Sequence, residues 1–125
     1  MRDFKKMQVW EKAHQFVVRL YRITALFPKE EMYGLTSQIR RAAASIPANI
    51  AEGAGRDTQA ELAHFLYIAA GSAAELDYHL LLARDLGYID SGDYPELENC
   101  ITEIKRMLHG FSKAVKSNSQ KSSQV

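Results

Sequence analysis

Positions suited to a protein core recur along this chain at alternating steps of three and four, the spacing that turns one face of an α-helix toward a neighbouring helix. Trp10, Ala13, Val17, Leu20, Thr24 and Phe27 form such a seam on a first helix that Pro28 ends. Leu62, Leu66, Ala69, Ala73, Leu76, Leu80 and Ala83 form another, opened by the capping box Thr58-x-x-Glu61 and stopped near Gly87. Asp93-x-x-Glu96 opens a last helix with Leu97, Ile101, Ile104, Leu108, Phe111 and Val115 on its seam. Residues 35–53 fit a further helix through Ile39, Ala42 or Ala43, Ile46 and Ile50, and its alanines leave the register open.

Four helices in a period near 3.5 predict gently supercoiled packing at about 20° crossing angles. Connections near 28–34, 54–57 and 88–92 are too short to cross a bundle. The expected fold is therefore all-α, an up-down-up-down antiparallel four-helix bundle with left-handed, heptad-type packing. Residues 1–116 are expected to form this one domain. SNSQKSSQV, 117–125, has no apolar period and reads as a flexible C-terminal tail.

One stretch interrupts the pattern. SIPANIAEG, 45–53, places Pro47 inside the alanine-rich second helix, where its ring crowds the carbonyl of Ala43 and an N–H is lost, at a cost of about 3 kcal/mol. Small residues there, Ala42 to Ser45, Ala48 and Ala51, face a matching run in the third helix, Ala69 to Ala74. Two thin helices can approach closely and recover dispersion contacts. The Asn49 amide is expected to satisfy the carbonyl that Pro47 leaves without a donor. The competing expectation is a plain kink with Asn49 in water.

Composition adds limits rather than detail. The 125 residues suit one domain, and 46% hydrophobic with 25% charged residues is ordinary for a globular chain. MRDFKKMQVWEKA has no apolar h-region, and no stretch reaches the 18 or so apolar residues of a membrane span, so the chain reads as cytoplasmic with no membrane role. The single cysteine, Cys100, agrees with a reducing compartment.

Charge changes the picture more. Net charge is only +1, yet residues 1–28 hold six basic side chains against two acidic ones, and 105–125 hold five basic and no acidic ones. Between 57 and 104 ten carboxylates face Arg84 alone. In the expected topology the start of the first helix and the end of the last share a pole, bringing Lys5, Lys6 and Lys12 toward Lys113 and Lys116. Arg19, Arg22 and Arg106 would extend this basic path, a candidate nucleic-acid interface, while Asp85, Asp90, Asp93, Glu96 and Glu98 collect at the other pole.

Catalytic signals are weaker. Glu11-x-x-His14 and Glu61-x-x-His64 carry the spacing of di-metal carboxylate bundles, with Glu52 and Glu103 as nominal further ligands. The seams, however, turn Glu61 and His64 outward and leave Glu11 and His14 at best on a flank, so they cannot share an ion across the core. Cys100 has no evident His or Lys beside it to lower its pKa, and His79 is expected to pair on the surface with Glu75 four residues before it. No Gly-rich phosphate loop or nucleophile elbow occurs. The expectation is no enzyme, metal or cofactor. Arg40 and Arg41 point roughly 100° apart, so each is expected to meet a different acidic or phosphate group.

YGLTSQIRRAAASIPANIAEGAGR, 33–56, with FLYIAAGSAAEL, 65–76, and QVWEKAHQFVVRLYRIT, 8–24, resembles the four-helix-bundle proteins of the 23S rRNA-intervening sequence family over about 4–111. That family is related to the accessory proteins of diversity-generating retroelements, which work beside a reverse transcriptase. The resemblance implies a homopentameric barrel with a basic surface that binds nucleic acid, or acts as a scaffold, without catalysis. Carried over by position, its motif covers Gly34, Leu35, Gln38, Arg40, Arg41, Ser45, Pro47, Asn49, Glu52 and Gly53, expected to shape the fold and subunit contacts more than to touch a ligand. Val9, Phe16, Ile23, Phe65, Ile68 and Leu82, beside the seams, are expected to serve self-association, with the alternative that part of them fills the protomer core, since core-facing helices are also wide. The runner-up reading is a purely structural helical oligomer whose charges only keep it in solution.

Overall fold

The computed structural model describes the backbone of residues 2–123 and the side chains of 2–118. A 3₁₀ turn at Phe4–Lys6 leads into α1 (Gln8–Thr24); α2 spans Leu35–Ala54, α3 Gln59–Asp85 and α4 Tyr94–Ser123. A second 3₁₀ turn, Lys29–Glu31, lies between α1 and α2. Among the described residues there is no strand. α2 packs on α1 and α3, α3 on α4, and α4 returns to α1, closing a four-helix bundle around one core.

Cross-helix contacts run in opposite sequence order, the order antiparallel neighbours give. Arg40 of α2 reaches Thr24 near the end of α1. Gly53 lies against Leu62, Ser45 against Ser72 and Arg41 against Glu75 between α2 and α3. Asp77 of α3 meets Lys105 of α4, and Glu96 near the start of α4 meets Arg19 late in α1.

All seven seam residues of α3, from Leu62 to Ala83, are buried. In α2 both Ala42 and Ala43 are buried with Ile39, Ile46 and Ile50, so the helix uses a broad apolar face rather than choosing between them. In α4 Leu97, Ile101, Ile104, Leu108 and Val115 are buried and Phe111 is half-buried. Thr58 caps α3 as expected, accepting the Glu61 N–H at 3.1 Å.

The α1 seam differs. Val9 and Phe16, expected to lie beside the core, are 5% and 3% exposed, whereas Trp10 and Val17 are half-buried. Trp10 instead stacks on His14 with ring centroids 5.0 Å apart and meets the edge of Phe4 at 5.1 Å. A half-buried position leaves the indole N–H near water while burying its apolar body. Val9 and Phe16 thus fill the protomer core and are withdrawn from the surface stripe expected to serve self-association. Ile23, Phe65, Ile68 and Leu82 remain half-buried.

Asn49 is half-buried, and its amide donates to the Ser45 carbonyl at 2.8 Å and the Ser45 hydroxyl at 3.0 Å. The Ser45 and Ser72 hydroxyls share a hydrogen bond of 2.8 Å, extending this polar link to α3. The carbonyl expected as its target, that of Ala43, is not the one engaged. A residue four positions back lies one turn below on the same helix face, whereas one six back is about 120° around the helix. Within the two runs of small residues the contact is that of Ser45 with Ser72; a second close contact lies outside them, at Gly53. A Cβ there would lie 2.9 Å from the Cβ of Phe65 and 3.0 Å from a Leu62 methyl.

The boundary expected at residue 116 falls inside α4, whose backbone continues helical to Ser123. Val115 is the last buried side chain described on that helix. Residues 124 and 125 of the expected tail lie outside the described residues.

Candidate functional site

Between α1 and α4 lies an open groove of about 800 Å³. Its basic rim is Lys5, Lys6, Lys12 and Arg19, and its apolar floor is Met7, Phe16, Cys100 and Met107. Gln8 and Gln15 add amides along the α1 side. Gln8, Lys12, Gln15 and Arg19 recur at steps of four, three and four, so one flank of α1 carries them all. That stripe was legible as a helical pattern. The opposing Met107 and Cys100 become its partners only when α4 folds back against α1.

The residues expected to form one basic path are divided. Lys5, Lys6, Lys12 and Arg19 share the groove, but Lys113 and Lys116 line a separate depression with His109 and Ser112. Lys113 is six residues and Lys116 nine beyond Met107, which rotates them roughly 120° and 180° around α4 from the groove. They share its end of the bundle and occupy another flank. Arg106 is engaged by Glu103 at 2.7 Å and Arg19 by Glu96 at 3.0 Å. Arg22 is exposed and forms no ion pair among the described residues.

The ion pairs sort the cations into two sets. Arg41 pairs with Glu75, Arg56 with Glu52, Arg84 with Asp85 and Lys105 with Asp77. Lys5, Lys6, Lys12, Lys113 and Lys116 have no carboxylate partner among the described residues. Of the two carboxylates lining the groove, Glu103 is paired with Arg106, while Glu11 accepts only the neutral Gln15 amide at 3.1 Å and keeps its charge, one against the three unpaired lysines. The groove therefore keeps an excess of uncompensated positive charge.

Cys100 sits half-buried on the groove floor. Contrary to expectation, cations do lie near it. Burial nevertheless pushes its thiol above the ordinary value, against the opposing pull of Lys12 and Arg19. It has the character of a buried thiol rather than of an activated nucleophile.

The motif residues act within the bundle. Arg40 meets no acid: it donates to the Thr24 hydroxyl at 2.9 Å and the Tyr21 carbonyl at 3.2 Å, and lies over the Tyr21 ring. It thus satisfies groups in the last turn of α1, a favourable place for a cation. Arg41 does find an acid, Glu75, and also donates to the Gln38 amide oxygen at 2.6 Å. Leu35 and Pro47 are buried in α2. His79 approaches Glu75 only to 4.0 Å, and its ring nitrogens are buried without hydrogen-bond partners among the described residues.

Gly34 lies against Glu31, a residue not singled out from the sequence. Glu31 accepts the Leu35 N–H at 3.0 Å, capping α2, and its second oxygen accepts the Tyr88 hydroxyl at 2.9 Å. A Cβ on Gly34 would lie 2.6 Å from the capping oxygen. The Glu31 hydrogen bond, followed by burial, raises the Tyr88 phenol above its ordinary pKa. An acid before a glycine at a helix start is a visible signal, but Tyr88 is 57 residues away.

Glu61 and His64 are exposed on the outer face, Glu11 is exposed and His14 half-buried. No cluster of three or more His, Cys, Asp or Glu residues suited to a metal occurs among the described residues. None of the described helices is long and apolar enough to cross a membrane.

A crystal structure from Bacteroides thetaiotaomicron, of a protein of unknown function in the S23 ribosomal protein family, superposes with a TM-score of 0.78. It is 31% identical, and the match covers 84% of this chain and 95% of that one. No curated protein matches the chain. The profile of the 23S rRNA-intervening sequence proteins matches residues 5–110, which takes in α1 to α3, the first half of α4 and the whole SIPANIAEG segment. The chain belongs to the 23S rRNA-intervening sequence protein family.

Proposed function

We propose that this protein is a non-enzymatic, self-associating nucleic-acid-binding protein or scaffold that works in the cytoplasm beside an RNA- or DNA-handling enzyme, such as a reverse transcriptase. The observation that carries this reading is the group of lysines at one end of the bundle without carboxylate partners among the described residues, Lys5, Lys6 and Lys12 on the groove and Lys113 and Lys116 beyond it; Lys29, in the connection between α1 and α2, is likewise unpaired but stands apart from them. Elsewhere the bundle pairs most of its guanidinium groups. Phosphates would occupy what the protein leaves open, and the contacts would release counterions from the nucleic acid. Contacts of this kind give affinity with little sequence preference.

Self-association, as a homopentamer in the form the family resemblance implies, is supported by apolar side chains left on the surface. Leu26 is 87% and Tyr33 93% exposed, and Tyr67 and Tyr78 stand out from α3. Those two tyrosines also favour the second reading, a structural oligomer with no nucleic-acid role, since aromatic side chains are enriched where proteins meet.

Titrating labelled RNA and DNA with the protein at several salt concentrations tests both readings. Affinity falls steeply with salt, reversing Lys12, Lys113 and Lys116 weakens binding and flattens the slope, and reversing Asp90, Asp93 and Glu96 does not weaken it. Equal affinity of the lysine variant and the parent, at matched oligomeric state, rejects the nucleic-acid reading. A monomer by native mass spectrometry at micromolar concentration rejects self-association.

A further inference from the structure

We infer that the groove between α1 and α4 accepts single-stranded nucleic acid, with phosphates on the lysine rim and unstacked bases against the Met7, Cys100 and Met107 floor. This rests on the nucleic-acid reading above and narrows it to one conformation of the ligand and one seam of the bundle.

Two properties of the groove have to be matched together. Its rim carries Lys5, Lys6 and Lys12 without carboxylate partners among the described residues, against one unneutralised carboxylate, Glu11, since Glu103 is paired with Arg106. That half of the groove calls for an anion. Its floor is apolar and rich in sulfur, and at about 800 Å³ the space falls within the range of concave ligand sites. That half calls for flat, polarisable groups, because thioethers make favourable contacts with aromatic rings.

A duplex satisfies only the first half. Its phosphates can meet exposed lysines, but its bases stay stacked in its interior and leave the floor uncovered. A purely acidic peptide such as polyglutamate likewise brings charge without flat rings. A single strand brings both, a phosphate and a π-face at each nucleotide, and proteins that bind single strands combine a positive groove with surfaces on which bases lie. The amides of Gln8 and Gln15, on the α1 side of the groove, offer hydrogen bonds to base edges or sugars.

Cys100 makes the groove testable, because its thiol reports whether the floor is covered. The whole protein is titrated with a labelled single strand of about 12 nucleotides of mixed sequence, with the same strand annealed to its complement, and with polyglutamate of matched charge. Alkylation of Cys100 by iodoacetamide is followed by mass spectrometry in each case. The expected result is binding of the single strand about tenfold tighter than the duplex, with alkylation slowed about tenfold by the single strand alone. Met7→Ser, at a half-buried position outside the helices, weakens single-strand binding severalfold and leaves duplex affinity and the salt slope unchanged.

Equal affinity for strand and duplex with unprotected Cys100 overturns the inference and leaves the nucleic-acid reading standing. Protection by polyglutamate as strong as by the strand also overturns it, making this a site for acidic segments. Binding of neither nucleic acid removes both readings.

Discussion

Two seams of the same bundle are built in opposite ways. Between α2 and α3 small residues on α2 bring the helices together, Gly53 against Leu62 and Phe65 and the Ser45 hydroxyl bonded to that of Ser72, with the Arg41–Glu75 pair at the surface. Between α1 and α4 the facing residues are long, Lys12, Gln15 and Arg19 opposite Cys100, Glu103 and Met107, and a groove of about 800 Å³ stays open. The first seam is crowded where Gly53 lies, within about 3 Å of Phe65 and Leu62 for an added Cβ. The second keeps charge and apolar surface available. A four-helix bundle can thus be held firmly along one seam while another is free to bind.

Substitutions that fill the closed seam should do the most damage. Gly53→Leu forces new atoms into Phe65 and Leu62 and is expected to lower stability by roughly 3 kcal/mol, read from the urea midpoint. Asn49→Leu removes the amide that ties Ser45 down and is expected to cost about 1 to 2 kcal/mol. The Ser45 carbonyl still faces the helix N–H of residue 49, which limits the effect. If Asn49→Leu is instead neutral within about 0.5 kcal/mol, the amide link contributes nothing to closing this seam.

The pole joining the helices gives a pH test of smaller amplitude. Tyr88 has a raised pKa because its hydroxyl donates to Glu31, so the folded state holds the proton more tightly than the unfolded chain does. That stabilisation is complete below the ordinary tyrosine pKa and is lost as pH rises through the raised one. Stability should therefore fall above about pH 10, and Tyr88→Phe should flatten this limb of the pH profile. An unchanged profile would separate Tyr88 from the Glu31 cap.

Charge reversal on the open seam should have the least effect on stability. Lys5 and Lys6 are exposed and Lys12 half-buried, without ion pairs among the described residues, so changing each to Glu is expected to move stability by no more than about 0.5 kcal/mol. Against the damage expected from Gly53→Leu, the contrast is sharp: one seam answers in stability, the other in binding.

Much of the closed seam was legible in the chain. Leu62 to Ala83 bury at every expected position because α3 is apolar enough for the pattern to fix its inward face. The small residues opposite it pointed to an approach that Ser45 and Ser72 make, while the contact of Gly53 with Leu62 and Phe65 lies outside the two runs. On α1 the pattern holds at Ala13, Leu20, Thr24 and Phe27 but points one residue off at two positions, where Trp10 and Val17 lie half-buried and Val9 and Phe16 are buried instead. The open seam was legible only in part. Its lysines stand out by charge, but a grouping of Lys12 with Lys113 and Lys116 by pole neglects the helical phase that carries the latter two to another flank of α4. Glu31 lies hidden for a different reason: its second partner, Tyr88, is supplied by tertiary contact.

The most direct test of the open seam is the salt dependence of single-strand binding for the parent and for the Lys5→Glu, Lys6→Glu, Lys12→Glu triple variant, at matched oligomeric state. The parent is expected to show a steep fall of log affinity with log salt, and the variant to bind at least about tenfold more weakly with a slope reduced by about 0.7 for each phosphate that is no longer neutralised. The same affinity and the same slope in both proteins would contradict the account, and would return these lysines to the role of solvated surface.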